Sequence, residues 1–169
     1  MTTRDTIRRH YDIFAKRYDD IFVARQVDKL KRIKQYMPQI PPKRALDAGG
    51  GTGIASRFFG YPFINLDVSQ GMLQHANGLR IQADICALPF GKNTFDLILS
   101  LSVLKDETPI DVAIKEFHRV LKPGGVLVLS ILKTEDLTKA EFLVSEIFSA
   151  FGERKDLGPD LAFIVEKVG

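Results

Sequence analysis

The stretch Leu46-Asp47-Ala48-Gly49-Gly50-Gly51-Thr52-Gly53 limits this chain more than any other. Glycine is costly inside a helix or strand and cheap where the backbone must take a left-handed turn or come close to a ligand. The residues before it, Arg44–Ala48, read as a short strand, and those after it, to Phe59, read as a helix. Strand, glycine turn and helix together describe a ligand loop, and three kinds compete. A phosphate loop needs Lys followed by Ser or Thr after the glycines, and Ile54-Ala55-Ser56 stands there instead. A dinucleotide fingerprint, G-x-G-x-x-G, is met weakly: counting from Gly49 its last glycine becomes Ile54, and from Gly51 it becomes Ser56. The third pattern is an acid followed by alternating glycines, Asp47-x-Gly49-x-Gly51-x-Gly53. A carboxylate beside the loop suits a positively charged ligand and repels a pyrophosphate.

The rest of the chain alternates in the same way. Strands are predicted at Phe63–Leu66, Leu79–Ala83, Thr94–Leu101, Val126–Leu132 and Leu161–Lys167. Helices are predicted from Ser69 to Asn77, from Thr108-Pro109 through Leu121, and over Asp136–Phe151. Ser69 is a good capping residue, and Thr108-Pro109 places a cap before a proline at the first helical position. Lys122-Pro123-Gly124-Gly125 reads as a turn. Residues 5–37 read as a helix with Val23, Val27, Leu30, Ile33 and Met37 on one face and Arg25, Lys29, Lys31, Arg32 and Lys34 largely on the other. Pro38, Pro41 and Pro42 end it. The fold class expected is α/β: a doubly wound, Rossmann-like, mostly parallel sheet of about seven strands with the last antiparallel, preceded by a helical extension. A single domain is expected over 1–169, with 1–42 as extension or lid and 43–169 as the ligand-binding core.

Several motifs in order resemble the class I S-adenosylmethionine-dependent methyltransferases, of the type acting on small molecules. They are the Asp47 loop, Asp67 at the end of the second strand, Val68-Ser69-Gln70-Gly71-Met72-Leu73, Asp84-Ile85, and Glu116-Phe117-His118-Arg119-Val120-Leu121-Lys122-Pro123-Gly124-Gly125. The resemblance implies that Asp47, Gly49, Gly51 and Gly53 meet the methionine part of the cofactor. It places Asp67 at the ribose, and Met72, Asp84 and Ile85 at the adenine, with Val68 among the cofactor-binding residues at the start of the Met72 segment. Ser100 falls at the ligand end of the fourth strand. The product form of the cofactor would be S-adenosylhomocysteine.

Each residue also has a plainer reading. The position of Asp67 suits a nicotinamide dinucleotide equally, Met72 suits core filling, and Asp84 suits a turn. Tyr11 and Tyr18 lie in a leader, Tyr11–Asp19, that resembles the cofactor lid of small-molecule members, yet core packing explains their spacing as well. Asp96 begins its strand, away from the ligand, and is read as structural.

Charge and composition narrow the acceptor less. Residues 1–44 carry a net charge of +7 against −4 for the remainder, which fits either a solvated helix face or attraction of an anionic acceptor. One cysteine, Cys86, excludes an intrachain disulfide and a thiolate cluster, and His10, His75 and His118 lack ligand spacing, so no metal is assigned. No stretch approaches the roughly 20 apolar residues of a membrane span, and a cytoplasmic location is expected. His10, Ser102 and Lys105 are the candidates for acceptor contact. A small metabolite is favoured as acceptor, RNA or protein being the alternatives. A non-catalytic or partner-dependent adenosylmethionine-binding protein would keep the same loop and carboxylates.

Overall fold

The computed structural model describes residues 3–38, 41–105, 107–149 and 152–169, with the side chains of residues 3 and 4 excepted. The leader forms one long helix, α1 (Thr3–Ile33), closed by a 3-10 turn over Lys34–Tyr36. There follow β1 (Ala45–Ala48), α2 (Ile54–Phe59), β2 (Phe63–Asp67), α3 (Gln70–Leu73) and β3 (Arg80–Gln82). The second half runs β4 (Phe95–Leu101), α4 (Ile110–Val120), β5 (Leu121–Leu132), α5 (Leu137–Phe148), β6 (Glu153–Asp156) and β7 (Asp160–Glu166).

The strands form one sheet in the order β3-β2-β1-β4-β5-β7-β6. The first five run parallel, while β7 is antiparallel to both β5 and β6. Ala45 pairs with Phe63 on one side and Leu97 on the other, so the strand order reverses between β1 and β4. Ligands of open parallel sheets bind beyond the carboxyl ends of the strands at such a reversal.

The apolar runs explain the layers. Leu46, Ile98, Leu127 and Leu129 face α4 and α5, where Ile114, Phe117, Val144 and Phe148 bury against them. The opposite sheet face, with Ala45, Leu97, Leu99 and Val128, is covered by Leu30 and Ile33 of α1 and by Ile54 of α2. Glu116 and Arg119 hold the loop before β4: Arg119 donates to the carbonyls of Leu88 and Phe90, and Glu116 accepts from the Leu88 amide. Asp96 accepts from the Arg44 amide and from Lys122 Nζ, remote from the ligand end as expected of a structural residue.

Five local expectations differ. Lys29 lies in the interior at 1% exposure, because it finds an acid and a hydroxyl there, while Val23, expected inside, is 37% exposed. Lys122–Gly125 is a bulge within β5 rather than a turn before it: Leu121 pairs with Phe95, and pairing resumes at Val126 with Leu97. Thr108 does not cap α4. Pro109 takes that position, and Thr108 Oγ1 accepts from the Lys105 amide to close its own turn. α3 is capped by Ser69 but ends at Leu73 rather than Asn77. β6 carries no strand signal in the sequence, because Glu-Arg-Lys-Asp shows no apolar alternation, and such charge suits an edge strand that must not pair further. The expected end of α5 at Phe151 lies outside the described residues.

Phe117 is fully buried between the sheet and α5. Phe117→Ala is expected to cost about 3–5 kcal/mol of folding free energy, measured by urea titration.

Candidate functional site

A cavity of about 660 Å³ lies beyond the carboxyl ends of β1, β2 and β4, roofed by α1. Its floor is the glycine loop. Gly49 and Gly51 have φ of 77° and 54°, which accounts for the alternating pattern, and the Gly49 and Gly50 amides both donate to the Leu66 carbonyl. A Cβ at Gly49 would stand 2.4 Å from Val103 Cγ2, so the loop passes the chain that leaves β4 at a distance only glycine allows.

Four carboxylates line the cavity: Glu107, from the loop before α4, and three others, each at the exit of a different strand. Asp47 is 5% exposed, and no donor among the described residues reaches its oxygens. Burial, and secondarily the charge of Asp67, push its carboxyl up to about 7. A buried acid without a partner is costly unless a donor or cation arrives. Asp67 is in another condition. Its Oδ2 accepts from the Gly51 amide at 3.0 Å and its Oδ1 from the Ser69 amide at 2.8 Å. Burial raises its pKa and those amides oppose the rise. Each of its oxygens retains a lone pair for a ligand hydroxyl. Asp84 Oδ1 accepts from the Cys86 amide at 2.9 Å, so the turn role exists, and the same residue lines the cavity with Ile85. Met72 is likewise both core, at 3% exposure, and cavity wall, as is Val68 wall.

α1 supplies the roof. Tyr11 and Tyr18 line the cavity with ring centroids 6.5 Å apart. Tyr18 Oη accepts from Gln26 Nε2, and burial pushes its phenol up to about 12. Two acids on the same helix clasp it to the ligand loops. Asp12 accepts from Ser69 Oγ at 2.6 Å and the Gly71 amide at 2.9 Å, and Asp19 from Thr52 Oγ1 at 2.5 Å and Arg57 at 2.6 Å.

The structure leaves some expected residues outside. Ser100 is buried with its Oγ unpartnered among the described residues and does not line the cavity, because the next residue, Leu101, carries the alternation to the ligand side. Gly53 faces Ala76 instead. His10, a candidate for acceptor contact, is exposed, stacks on Phe14 and does not line the cavity; His75 and His118, for which no site role is expected, lie respectively on the surface and edge-on to Phe148. Ser102 and Lys105 do line the cavity. Among the lining residues that were not expected, Ile7, Gln26 and Leu30 extend the face of Tyr11 and Tyr18 by helical steps, and Val103, Thr108 and Pro109 come from loops without periodicity to mark them. Among the described residues no group of three or more His, Cys, Asp or Glu is placed to hold a metal.

The donor set fits a cationic nucleoside: an unpartnered acid for an ammonium, a second acid for ribose hydroxyls, and Met72 with Ile85 as apolar walls for a base. Residues 46–129 match the family described as Methyltransferase domain. The chain is 35% identical over 164 residues to malonyl-[acyl-carrier protein] O-methyltransferase of Dechloromonas aromatica, covering 93% of this chain and 59% of that one. It is 32% identical to demethylmenaquinone methyltransferase of Renibacterium salmoninarum, covering 75% and 58%. The chain thus spans about three fifths of the length of these curated relatives. Among solved structures, a possible histamine N-methyltransferase of Thermotoga maritima shares the fold with a TM-score of 0.78 at 17% identity, covering 93% of this chain and 97% of that one.

The state of Asp47 has a pH signature. Its pKa rises from 3.8 to about 7 on folding, so the folded chain keeps a proton that the unfolded chain has lost between those values. The stability this supplies is complete below about pH 4 and is lost as pH rises through about 7. Asp47→Asn removes the titration. Its stability relative to the unsubstituted chain is therefore expected to improve by about 4 kcal/mol between pH 4 and pH 8, read by denaturant titration without ligand. A difference that does not change with pH would remove this account.

Proposed function

This chain belongs to the class I S-adenosylmethionine-dependent methyltransferases, and we propose that it transfers a methyl group to a small acceptor bearing a carboxylate. The observation that carries the reading is the row of Asp47, Asp67 and Asp84 opening on one cavity, with the first of them buried and unpartnered. In this reading Asp47, with the turn at Gly49 and Gly51, takes the ammonium of the methionine part. Asp67 accepts from the ribose hydroxyls, with Val68 beside it. Met72 and Ile85 flank the adenine and Asp84 accepts from its amine. Residues 1–42 serve as lid to a core of 43–169 in one domain, and Tyr11 and Tyr18 close over the cofactor.

Adenosylmethionine, when bound, supplies a methyl carbon already activated by its sulfonium sulfur. The protein must then align the acceptor oxygen with that carbon and keep water out. Tyr18 suits this task as a neutral, largely buried phenol. In the cavity wall Lys105 Nζ donates to Tyr11 Oη at 3.1 Å and stands 5.4 Å over its ring. An ammonium and a phenol side by side form a site for an anionic oxygen. A carboxylate is ionised at neutral pH, so its oxygen attacks without a base to deprotonate it. The Dechloromonas relative, by its name, methylates an oxygen of a malonyl group, which is an acid of this kind.

Calorimetric titration with S-adenosylmethionine, S-adenosylhomocysteine and NAD tests the cofactor. Micromolar binding of the two sulfur nucleosides is expected, and binding of NAD alone would overturn the reading. Asp67→Ala is expected to weaken adenosylmethionine by about 1–3 kcal/mol. Transfer of labelled methyl to a panel of dicarboxylic half-esters and half-thioesters, beside amines, phenols and RNA, tests the acceptor. With an acid substrate, Lys105→Ala is expected to raise KM roughly tenfold or more, the worth of a charged hydrogen bond, with the S-adenosylhomocysteine Kd unchanged. Labelling of RNA or amines alone would point to another acceptor.

A further inference from the structure

The molecule buries one ion pair beside the cavity that the reading above does not use. Lys29 of α1 is 1% exposed and Asp160, the first residue of β7, is fully buried. Lys29 Nζ lies 2.8 Å from Asp160 Oδ1, an electrostatic contact off the hydrogen-bond axis, and donates to Ser102 Oγ at 2.5 Å. Ser102 Oγ in turn donates to Asp160 Oδ2 at 2.6 Å. Ser130 Oγ of β5 donates to the same oxygen at 2.8 Å, and the Ser102 amide donates to Ser130 Oγ at 3.1 Å. Three residues, Lys29 from α1, Ser130 from β5 and Asp160 from β7, thus converge on Ser102 at the exit of β4.

Ser102 is held in an uncommon state. Its φ is 59°, the left-handed region, with no glycine to make that cheap. Such a conformation persists where the surroundings over-determine it, and it concentrates at ligand sites. Ser102 is the first residue past β4 and lines the cavity. The turn it makes throws the next side chain, Val103, against Gly49 of the glycine loop, at the closest approach found there. Stability alone does not explain the pair, since apolar residues of similar volume commonly replace a buried ion pair without loss. Its location around a strained, cavity-lining residue does.

We propose that Lys29 and Asp160 are positioning residues for the amino-acid end of adenosylmethionine: they clamp Ser102 in its left-handed turn and so set the wall that Val103 forms against Gly49. The proposal rests on the cavity being an adenosylmethionine site. The wall stands at the exits of β1 and β4, whereas the adenosine contacts come from the exits of β2 and β3, so the two ends of the ligand report separately.

The test compares S-adenosylhomocysteine with 5′-methylthioadenosine, which shares the adenosine and thioether and lacks the amino-acid end. Both are titrated calorimetrically into the full chain as it stands and into Ser102→Ala, Ser102→Gly and the double variant Lys29→Met/Asp160→Leu. Affinity for S-adenosylhomocysteine is expected to fall about tenfold or more in each, with that for methylthioadenosine within about twofold of the parent. A pair that merely fastened α1 to the sheet would move both ligands together or neither, and either pattern overturns the proposal. Should the double variant not fold, the single variants Lys29→Gln and Asp160→Asn, which keep the bulk of the pair and break its charge, make the same comparison: selective loss of S-adenosylhomocysteine is expected, and equal effects on both ligands overturn the proposal. A parent chain that binds neither nucleoside overturns the cavity assignment and this proposal with it. A parent that binds both while the variants lose no selectivity overturns this proposal alone.

Discussion

The geometry of the cavity depends on the Leu66 carbonyl. It lies one residue before the end of β2 and accepts from two successive amides, Gly49 and Gly50, as the chain leaves β1. Those bonds bend the glycine loop across the top of β2 and bring the Gly51 amide onto Asp67. The acid expected to hold ribose is thereby braced by the loop expected to hold the methionine. The two halves of the site form one hydrogen-bonded unit, and Ser69, which caps α3 and donates its amide to Asp67, extends that unit to Met72.

Charge is distributed around this unit with a clear division. Asp47, Asp67 and Asp84 face the cavity, where burial raises the first two and leaves Asp47 short of a partner. The cost of burying those acids is offset when a cationic ligand enters, a direct physical reason for preferring a sulfonium nucleoside to a pyrophosphate. The net positive charge of the leader does not meet these acids. Asp12 and Asp19 make the contacts to the ligand loops, and among the described basic residues Lys29 alone turns fully inward, toward Asp160 rather than the cavity acids.

Clasping by Asp12, Asp19 and Lys29 makes α1 part of the site. The same helix covers one face of the sheet through Leu30 and Ile33 and roofs the cavity through Tyr11 and Tyr18. Its roles divide along its length: near its carboxyl end apolar burial through Leu30 and Ile33 joins the Lys29–Asp160 pair, while Asp12 and Asp19 clasp the rest. A roof held by polar contacts opens at lower cost than one held by a core, as entry of a ligand requires.

Local patterns in the sequence were enough for the sheet, its parallel direction, the glycine loop and the three acids, because each is written in neighbouring residues: an apolar run, a glycine where φ is positive, a cap before a helix. They were enough as well for the family, through motifs in order. They did not show which way Lys29 turns, that Ser100 misses the cavity, that Lys122–Gly125 bulges within β5, or that a charged edge strand forms at β6. Each of these depends on partners far along the chain, Asp160 for Lys29 and Phe95 for Leu121, whose approach is set by sheet order and not by local preference. Residue type and spacing thus determined the chemistry this protein can offer a ligand. Tertiary structure alone decided which of those groups face one another, because burial and hydrogen bonding act between surfaces that meet only when the sheet has closed.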